Sequence, residues 1–384
     1  MPYLVRSGVI GAAISPCVEG FQHSLEEVLY EVTQRALRDA GITIEDIDGI
    51  VVGGNDQYDG RAISVMMASG PVGGVDRDII STPSAGEHAF VMATMRVGSG
   101  HFRTHLVVAW SPTEADSLAE VQRLATDPYF HRRLPQDEFG AHAMQANVLL
   151  SKMPELGELV RKISAKNRAN GAQAYPDLVS AELPSYDARR YPLEPGLVSA
   201  PVNGAVALVI ASEDFIAEHG CKDVAWIAGQ GWATEAAFIG DRDLSQAPAL
   251  VEAARQAYAE AGISEPLSAF DVAEVADTSP YHELLAYEAL GLAPRAEWGA
   301  RVADGSFGPN GTLPVNLSGG AHALNPVYCT GLIRIAEIAL QVLGRAGRHQ
   351  RPGVQAGLAH AASGDAMQYN TVVVLRRDLQ GEVR

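Results

Sequence analysis

Cysteine is scarce in this chain of 384 residues: only Cys17, Cys221 and Cys329 occur, and no two of them have the close spacing of a metal-binding or redox pair. This scarcity excludes a disulfide framework and a thiolate zinc site, and it indicates a reducing compartment. The first residues lack the apolar core of a signal peptide, and no apolar run is long enough to cross a bilayer. We therefore expect a cytoplasmic protein without a metal site.

Positive charge is also in short supply. Lys and Arg together number 29 against 46 Asp and Glu, which gives a formal net charge of −17. This balance excludes non-specific binding to nucleic acid and adhesion to anionic lipid, because both need a basic surface. Apolar side chains are plentiful at 47%, and there are 38 Gly and 21 Pro. These values predict a large buried core with many turns, in a chain long enough for two domains.

An internal repeat is the main organisational feature of the chain. A helical pattern over residues 25–39 ends at Gly41, and a second one over residues 249–260 ends at Gly262. Glycine at these positions indicates a left-handed helix end, which glycine adopts at little cost. A short loop and an apolar strand follow each helix, at residues 49–53 and 270–275. Two such units predict a duplicated α/β fold with mostly parallel sheets.

The middle of the chain differs in composition from the two repeated parts. Residues 111–199 are rich in charges, aromatics and prolines, and they contain one predicted helix at 155–170. We interpret this segment as an inserted loop domain that contributes substrate contacts. The N-terminal half then consists of residues 1–110 with 200–225, and the C-terminal half of residues 226–384.

A glycine-rich segment, residues 316–331, leads into a long apolar helical pattern. Its Gly-Gly pair, its Leu324-Asn325-Pro326 triplet and its final glycine resemble the active-site loop of the thiolase superfamily. That loop carries Gly-His-Pro where this chain has the triplet, so Asn325 replaces the histidine that stabilises a thioester oxyanion. The resemblance implies that three residues of the Gly-Gly turn contact the coenzyme A part of a substrate: Ser318, Gly319 and Gly320.

Three further patches resemble the same superfamily, in particular its sterol-carrier-protein or lipid-transfer type: residues 200–210, 274–292 and 357–364. With the repeat, the resemblance covers nearly the whole chain. It implies a thiolase-like five-layered α-β-α-β-α fold built from two duplicated halves, and a homodimer. It also implies coenzyme A as part of the substrate and no covalently bound cofactor. Candidates for contacts with the coenzyme A phosphates are basic residues of the insert: Arg132, Arg133, Lys162 and Lys166.

The nucleophilic cysteine of the superfamily is missing. Its position falls on Pro83, or on Ser84 if the register shifts by one residue. Pro83 has no nucleophilic group. Ser84 is a candidate replacement, but Ser84-Ala-Gly-Glu87 has the spacing of a capping box. We therefore expect Ser84 to cap the helix that follows.

Other groups near the matched loops are candidates for the missing chemistry. His322 lies three residues before Asn325, and His360 lies beside Ala361, where the superfamily has its last catalytic residue. Each is an acid/base candidate, and a packed histidine is the alternative for both. Cys329 begins a helix, which favours a thiolate, although a buried structural cysteine is the more common outcome.

Tyrosine stands where the superfamily has a small residue. Tyr328 takes the place of a glycine at the mouth of the thiolase pocket, and Tyr281 lies in the loop that begins at Asp277. By the resemblance, the two side chains would face each other. A phenol donates a hydrogen bond to a carbonyl, and it accepts a proton from an alcohol when its pKa is lowered. The alternative is that Tyr328 fills a pocket that has lost its function.

Loss of the cysteine with gain of tyrosine resembles a branch of the superfamily that cleaves β-hydroxyacyl-CoA thioesters, including steroid side chains, by a retro-aldol reaction. The resemblance implies Tyr328 and Tyr281 as the base and its partner, and Asn325 as a donor to the enolate oxygen. It also implies a small zinc-ribbon/OB-fold partner protein. The alternative function is a catalytically inactive subunit of a heteromeric acyl-CoA thiolase or acetyltransferase complex. A third hypothesis is a condensing enzyme that uses Cys329 or Ser84.

Overall fold

The computed structural model describes residues 4–60, 62–111, 118–134, 136–179, 190–198 and 200–378. Parts of the predicted insert lie outside the described residues, namely 112–117, 135, 180–189 and 199. Within the described ranges, no helix has both the length and the apolar character that a membrane span requires.

The strands of the described chain are β1 Ser7–Ile14, β2 Gly49–Gly53, β3 Asp78–Thr82, β4 Thr104–Ser111, β5 Pro201–Val202, β6 Gly204–Ser212, β7 Ala225–Thr234, β8 Val272–Glu274, β9 Asn325–Pro326, β10 Ala356–Ser363 and β11 Tyr369–Arg376. The helices are α1 Leu25–Ala40, α2 Ser64–Ser69, α3 Gly86–Gly98, α4 Leu118–Ala125, α5 Glu138–Lys152, α6 Leu156–Ala174, α7 Glu213–His219, α8 Pro248–Ala261, α9 Pro266–Ala269, α10 Pro280–Ala289, α11 Trp298–Ala303, α12 Gly320–Ala323 and α13 Thr330–Leu343.

One mixed sheet runs through the described part of the molecule in the order β3-β2-β4-β6-β1-β7-β11-β10-β8. Five of its eight strand pairings are antiparallel, so the prediction of mostly parallel sheets is wrong. Its two halves meet at a short antiparallel pairing of β1 with β7, where Gly8 lies opposite Trp226 and Val9 opposite Ala225. On either side of this pairing the strand orders mirror each other. β2-β4-β6-β1 corresponds to β8-β10-β11-β7, which confirms the predicted duplication.

The two repeated helices end as the sequence predicts. The left-handed residue after α1 is Gly41 with φ 71°, and the one after α8 is Gly262 with φ 68°. At Gly41 the backbone N–H donates to the carbonyl groups of Leu37 and Arg38, which would otherwise be left without partners at the helix end. Short loops can then turn the chain towards the next strand in each half.

Helices α3 and α13 form the central layer of the fold. Apolar side chains of both helices share one core with strands of the N-terminal half and of the C-terminal half. Helix α13 is buried along nearly its whole length, as its mainly apolar sequence predicts. Its buried charges are paired, Arg334 with Glu274 at 2.6 Å and Glu337 with His349 at 2.8 Å. Each fully buried leucine or isoleucine there contributes about 1.5–3 kcal/mol relative to an exposed one.

Outer helices complete the layers. Helix α1 packs on the outer face of the N-terminal half, and α8 and α10 pack on the outer face of the C-terminal half. The layer order is therefore helix, N-terminal half of the sheet, helix, C-terminal half of the sheet, helix, which confirms the predicted thiolase-like fold class. Helices α5 and α6 of the insert share their core with α8 and α10. The predicted boundaries of the insert stay a prediction.

Candidate active site

A cavity of about 480 Å³ lies where the start of α3, the loop before α13 and the turn between β10 and β11 meet. Helices α4 and α5 of the insert supply another part of its wall. Both repeated halves and the insert therefore contribute lining residues. A pocket of this size and position is a natural place for a substrate.

Tyr328 stands at this cavity in an unusual backbone conformation. Its φ of 84° lies in the left-handed region that favours glycine, which is the residue expected at this position in the superfamily. The Tyr328 carbonyl accepts the backbone N–H of Gly86 at 2.9 Å. Its phenol donates to the carbonyl of Gly54 at 3.4 Å, and its ring centroid lies 5.5 Å from that of Tyr58. These contacts hold the side chain in the cavity wall.

Burial raises the pKa of Tyr328 above its usual range, and the neighbouring Asn55 opposes this effect without cancelling it. The phenol is therefore protonated at neutral pH. A protonated phenol donates hydrogen bonds and is a poor base. The electrostatics favour a donor role for Tyr328 over the base role that the sequence predicts.

Asn325 lies beside Tyr328 in the cavity wall. Strand β9 holds it there, because Asn325 is paired in register with Pro201 of β5. Its amide is mostly buried. The structure therefore brings two of the predicted site residues, Asn325 and Tyr328, to the same cavity.

Glu87 lines this cavity. The sequence pattern instead places it in the capping box of the helix that follows Ser84. The predicted capping box is wrong, because α3 begins at Gly86 after Ala85, and no side chain caps it. The backbone N–H of Gly86 is instead satisfied by the carbonyl of Tyr328. Glu87 turns towards β10, where Ser363 Oγ donates to its Oε1 at 2.8 Å.

Ser84 is exposed and lines the cavity. No hydrogen bond joins its hydroxyl to a basic group in the described part of the chain. An activated serine needs such a base within hydrogen-bond reach. The geometry therefore gives Ser84 neither the predicted cap role nor an activated hydroxyl.

Tyr281 lies in the core of the C-terminal half and is not among the described residues that line the cavity. Burial raises its pKa to about 12, and its charged neighbours are Glu194 and Arg161. The expectation that Tyr281 faces Tyr328 is not met by this placement. The aromatic ring that contacts Tyr328 is that of Tyr58, which lies in the loop after β2. No sequence motif indicates a functional role for Tyr58.

The two candidate histidines are enclosed. His322 Nε2 lies 2.5 Å from Ser164 Oγ, and burial together with the charge of Arg168 lowers its pKa to about 3. His360 lies in β10 with Nε2 3.1 Å from Asn370 Oδ1, and burial lowers its pKa to about 4. Both are neutral at pH 7. Neither is among the described lining residues of the cavity.

Ser318, Gly319 and Gly320 also lie inside the protein. Ser318 donates to Glu274 at 2.6 Å and accepts from Arg334 at 2.8 Å. A Cβ on Gly320 would overlap the carboxyl group of Asp277, which accepts the backbone N–H of Ala321. In this structure the Gly-Gly turn serves packing. The predicted contact of these three residues with coenzyme A stays a prediction.

Cys329 is fully buried at the start of α13. Burial raises the pKa of its thiol well above the usual value, and the nearby Cys17 adds to this effect. Cys329 is therefore a thiol at neutral pH. This contradicts the thiolate environment considered from the sequence and agrees with a structural cysteine.

The wall formed by the insert is acidic. Gln122 donates to Glu138 at 2.6 Å, and Gln136 donates to Asp365 at 2.8 Å. Burial raises the pKa of Asp365, and Glu138 reinforces the shift. Within the described ranges, no group of three or more His, Cys, Asp or Glu side chains could hold a metal ion.

The basic candidates for phosphate contacts are largely occupied by protein partners. Lys166 pairs with the buried Glu283 at 2.5 Å, and Lys162 pairs with Glu158 at 3.0 Å on the surface. Arg132 donates to the carbonyl of Leu124 at 2.7 Å. Which residues meet the phosphates stays a prediction.

Known proteins resemble this chain in sequence and in fold. Residues 231–377 match the family described as Thiolase C-terminal domain-like. Sterol carrier protein 2 of Rattus norvegicus is 35% identical over 169 residues, which cover 41% of this chain and 30% of that protein. Acetyl-CoA acetyltransferase of Methanothermobacter thermautotrophicus is 26% identical over 384 residues, which cover 93% of this chain and 96% of that protein.

Residues 231–377 belong to the thiolase family. This confirms the resemblance to sterol-carrier-protein-type members that the sequence motifs carry. The thiolase-like chain matches only 30% of the length of the rat sterol carrier protein 2. It is related to proteins named for acyl-CoA chemistry.

A solved structure extends the comparison to the whole fold. The Ltp2-ChsH2(DUF35) aldolase matches this thiolase-like protein with a TM-score of 0.80 and covers 99% of this chain and 100% of that chain. The sequence identity is 18%, so this match shows the fold alone. The reaction that this protein catalyses therefore depends on the residues of the cavity and not on the fold.

Proposed function

We propose that this protein cleaves the Cα–Cβ bond of a β-hydroxyacyl-CoA by a retro-aldol reaction, without an acyl-enzyme. The observation that carries the proposal is the pair Tyr328 and Asn325 in one cavity, with Pro83 at the position of the superfamily nucleophile. The pair offers hydrogen-bond donors. A retro-aldol step needs donors for an enolate oxygen and a base, and it needs no nucleophile.

The reaction places specific demands on these groups. The β-hydroxyl loses a proton, its oxygen becomes a carbonyl, and the electrons of the Cα–Cβ bond move onto the thioester as an enolate. Tyr328 and Asn325 donate to the enolate oxygen, because a protonated phenol and an amide are both suited to a developing negative charge. Coenzyme A takes part as the substrate's thioester group.

A partner protein belongs to the same proposal. The matching aldolase structure is named for a complex of Ltp2 with ChsH2(DUF35). By analogy, this chain works as a homodimer with a small zinc-ribbon/OB-fold protein that holds the coenzyme A end of the substrate. The free cysteines of the described chain agree with an assembly in the reducing cytoplasm.

The test is release of an aldehyde or ketone from a β-hydroxyacyl-CoA by the purified chain with its partner. Tyr328→Phe keeps the ring and removes the donor, so the cleavage rate should fall by roughly 10²–10³-fold. Tyr30→Phe on the exposed side of α1 is the matched control and should keep the full rate. An unchanged cleavage rate in Tyr328→Phe would contradict the proposed mechanism.

The competing function is an inactive subunit of a heteromeric acyl-CoA thiolase or acetyltransferase complex. The observation that favours it is the enclosure of Cys329, His322 and His360, which leaves these candidates without access to a substrate. This function predicts no carbonyl release by the chain and its small partner. It predicts acyl transfer only when a thiolase-like subunit with an intact cysteine is added.

A further inference from the structure

We propose that Glu87 is the general base of the cavity, oriented by Ser363, and that it takes the proton from the β-hydroxyl of the substrate. This inference rests on the proposed function, because it names the group that the retro-aldol reaction needs and that Tyr328 does not supply. The superfamily residues matched by the motifs do not include this carboxylate.

Glu87 has hydrogen-bonding capacity that the protein does not satisfy. Its side chain is only 1% exposed and lines the cavity. Oε1 accepts from Ser363 Oγ at 2.8 Å, whereas Oε2 has no hydrogen-bond partner in the described part of the protein. A buried carboxylate oxygen without a partner is costly, so such groups are rare outside sites that bind something. Oε2 therefore has the capacity to accept one further hydrogen bond, and in this proposal the donor is the substrate hydroxyl.

The fold keeps space for the carboxylate of Glu87. Oε2 lies against Gly331 of α13, and a Cβ at that position would overlap it. Thr330, the preceding residue, also lines the cavity and has a buried hydroxyl without a partner among the described residues. Two residues with an unpartnered buried oxygen, Glu87 and Thr330, therefore line the cavity that Tyr328 and Asn325 also line.

The other carboxyl groups in the cavity wall are already occupied. Glu138 accepts from Gln122 at 2.6 Å, and Asp365 accepts from Gln136 at 2.8 Å. Asp127 accepts the backbone N–H of Phe130 at 2.6 Å in a surface loop. Among these four carboxyl groups, Glu87 alone has an oxygen that is buried without a hydrogen-bond partner in the described part of the chain.

Glu87 alone accepts and returns the proton that the reaction transfers. Glu87 Oε2 takes the proton of the β-hydroxyl, the O–H electron pair forms the new C=O bond, and the Cα–Cβ pair passes to the thioester enolate. The protonated Glu87 then returns a proton to Cα after the aldehyde or ketone has left, and its proton exchanges with solvent. The products are a shortened acyl-CoA and a carbonyl compound, and no oxidant or further reactant is consumed.

The substitution that tests the proposal is Glu87→Gln, which keeps the shape and removes the base. The cleavage rate should fall by roughly 10²–10⁴-fold, the usual contribution of a general base. Glu158→Gln on the exposed face of α6 is the matched acid-to-amide control and should keep the full rate. An unchanged rate and pH profile in Glu87→Gln, with cleavage intact in the wild type, would overturn this inference and leave the proposed function standing.

A second measurement separates the base from the cleavage reaction. In D₂O the wild type should exchange the α-protons of the product acyl-CoA, because the return of the proton to Cα is reversible. Glu87→Gln should lose this exchange, as seen by mass spectrometry. If the wild type exchanges α-protons but cleaves no β-hydroxyacyl-CoA, the proposed function fails while the role of Glu87 in proton transfer stands. Equal exchange in the variant and the wild type would contradict that role.

Ser363→Ala is a second variant that tests the proposal if Glu87→Gln does not fold. It keeps the carboxylate and removes only the hydroxyl that orients it, so Ser363 is a positioning residue. The rate should fall less than in Glu87→Gln, and the acidic limb of the pH–rate profile should move. A profile identical to that of the wild type would count against the proposed orientation of Glu87.

Discussion

The backbone carbonyl of Tyr328 accepts the amide N–H of Gly86 at 2.9 Å, and this bond joins the loop before α13 to the first turn of α3. The first N–H groups of a helix have no partner within the helix. Here a tertiary contact supplies one, where a side-chain cap would otherwise do so. The two central helices are thereby fixed relative to each other at the floor of the cavity.

The thiols of the central layer should be unreactive in the folded protein. Burial raises the pKa of Cys17 to about 12 and that of Cys329 above its usual range. Since the thiolate is the reactive form, both should resist iodoacetamide at pH 7.5, whereas the less buried Cys221 should be modified first. Mass spectrometry of labelled peptides before and after unfolding measures this order. Rapid labelling of Cys329 in the native protein would restore the thiolate hypothesis.

The Gly-Gly turn should be sensitive to a single methyl group. Gly320 has φ 66°, and an added Cβ would overlap the carboxyl group of Asp277. Gly262 has φ 68° with nothing near the same position, so it is a matched control for backbone strain alone. We expect Gly262→Ala to cost about 1 kcal/mol of unfolding free energy and Gly320→Ala about 3 kcal/mol. Urea denaturation checks the difference, and equal losses would show that the turn relaxes freely.

Local chemistry explains which parts of the fold the sequence predicts. Gly41 and Gly262 mark real helix ends, because a left-handed residue is a property of a few neighbouring residues. The mainly apolar run after Gly331 predicts a buried helix for the same reason, and its few polar residues are buried with it. Both features follow from short segments and need no knowledge of the partner elements.

Long-range contacts explain what the sequence does not predict. Ser84 and Glu87 have the spacing of a capping box, yet Tyr328 supplies the cap contact and Ser363 takes the carboxylate. Both partners lie more than 200 residues away in the chain, so no local pattern reveals them. Tyr281 shows the converse, because its loop matches the superfamily while its side chain packs into the core.

Acid should destabilise the protein through its buried neutral histidines. Burial lowers the pKa of His360 from 6.5 to about 4. Between these values the unfolded chain binds the proton and the folded chain does not, so stability is full above pH 6.5 and is lost as the pH falls towards 4. At about 1.4 kcal/mol per pH unit, His360 should account for about 2 kcal/mol of the loss between pH 7 and pH 5.

His360→Gln tests this contribution, because glutamine does not titrate in this range. The decrease in the free energy of unfolding from pH 7 to pH 5, measured with urea, should be about 2 kcal/mol smaller in the variant than in the wild type. His23→Gln is the control, since His23 is largely exposed at the surface and should leave the decrease unchanged. An equal decrease in wild type and His360→Gln would mean that His360 becomes protonated within the folded protein, and it would reopen an acid/base role for this residue.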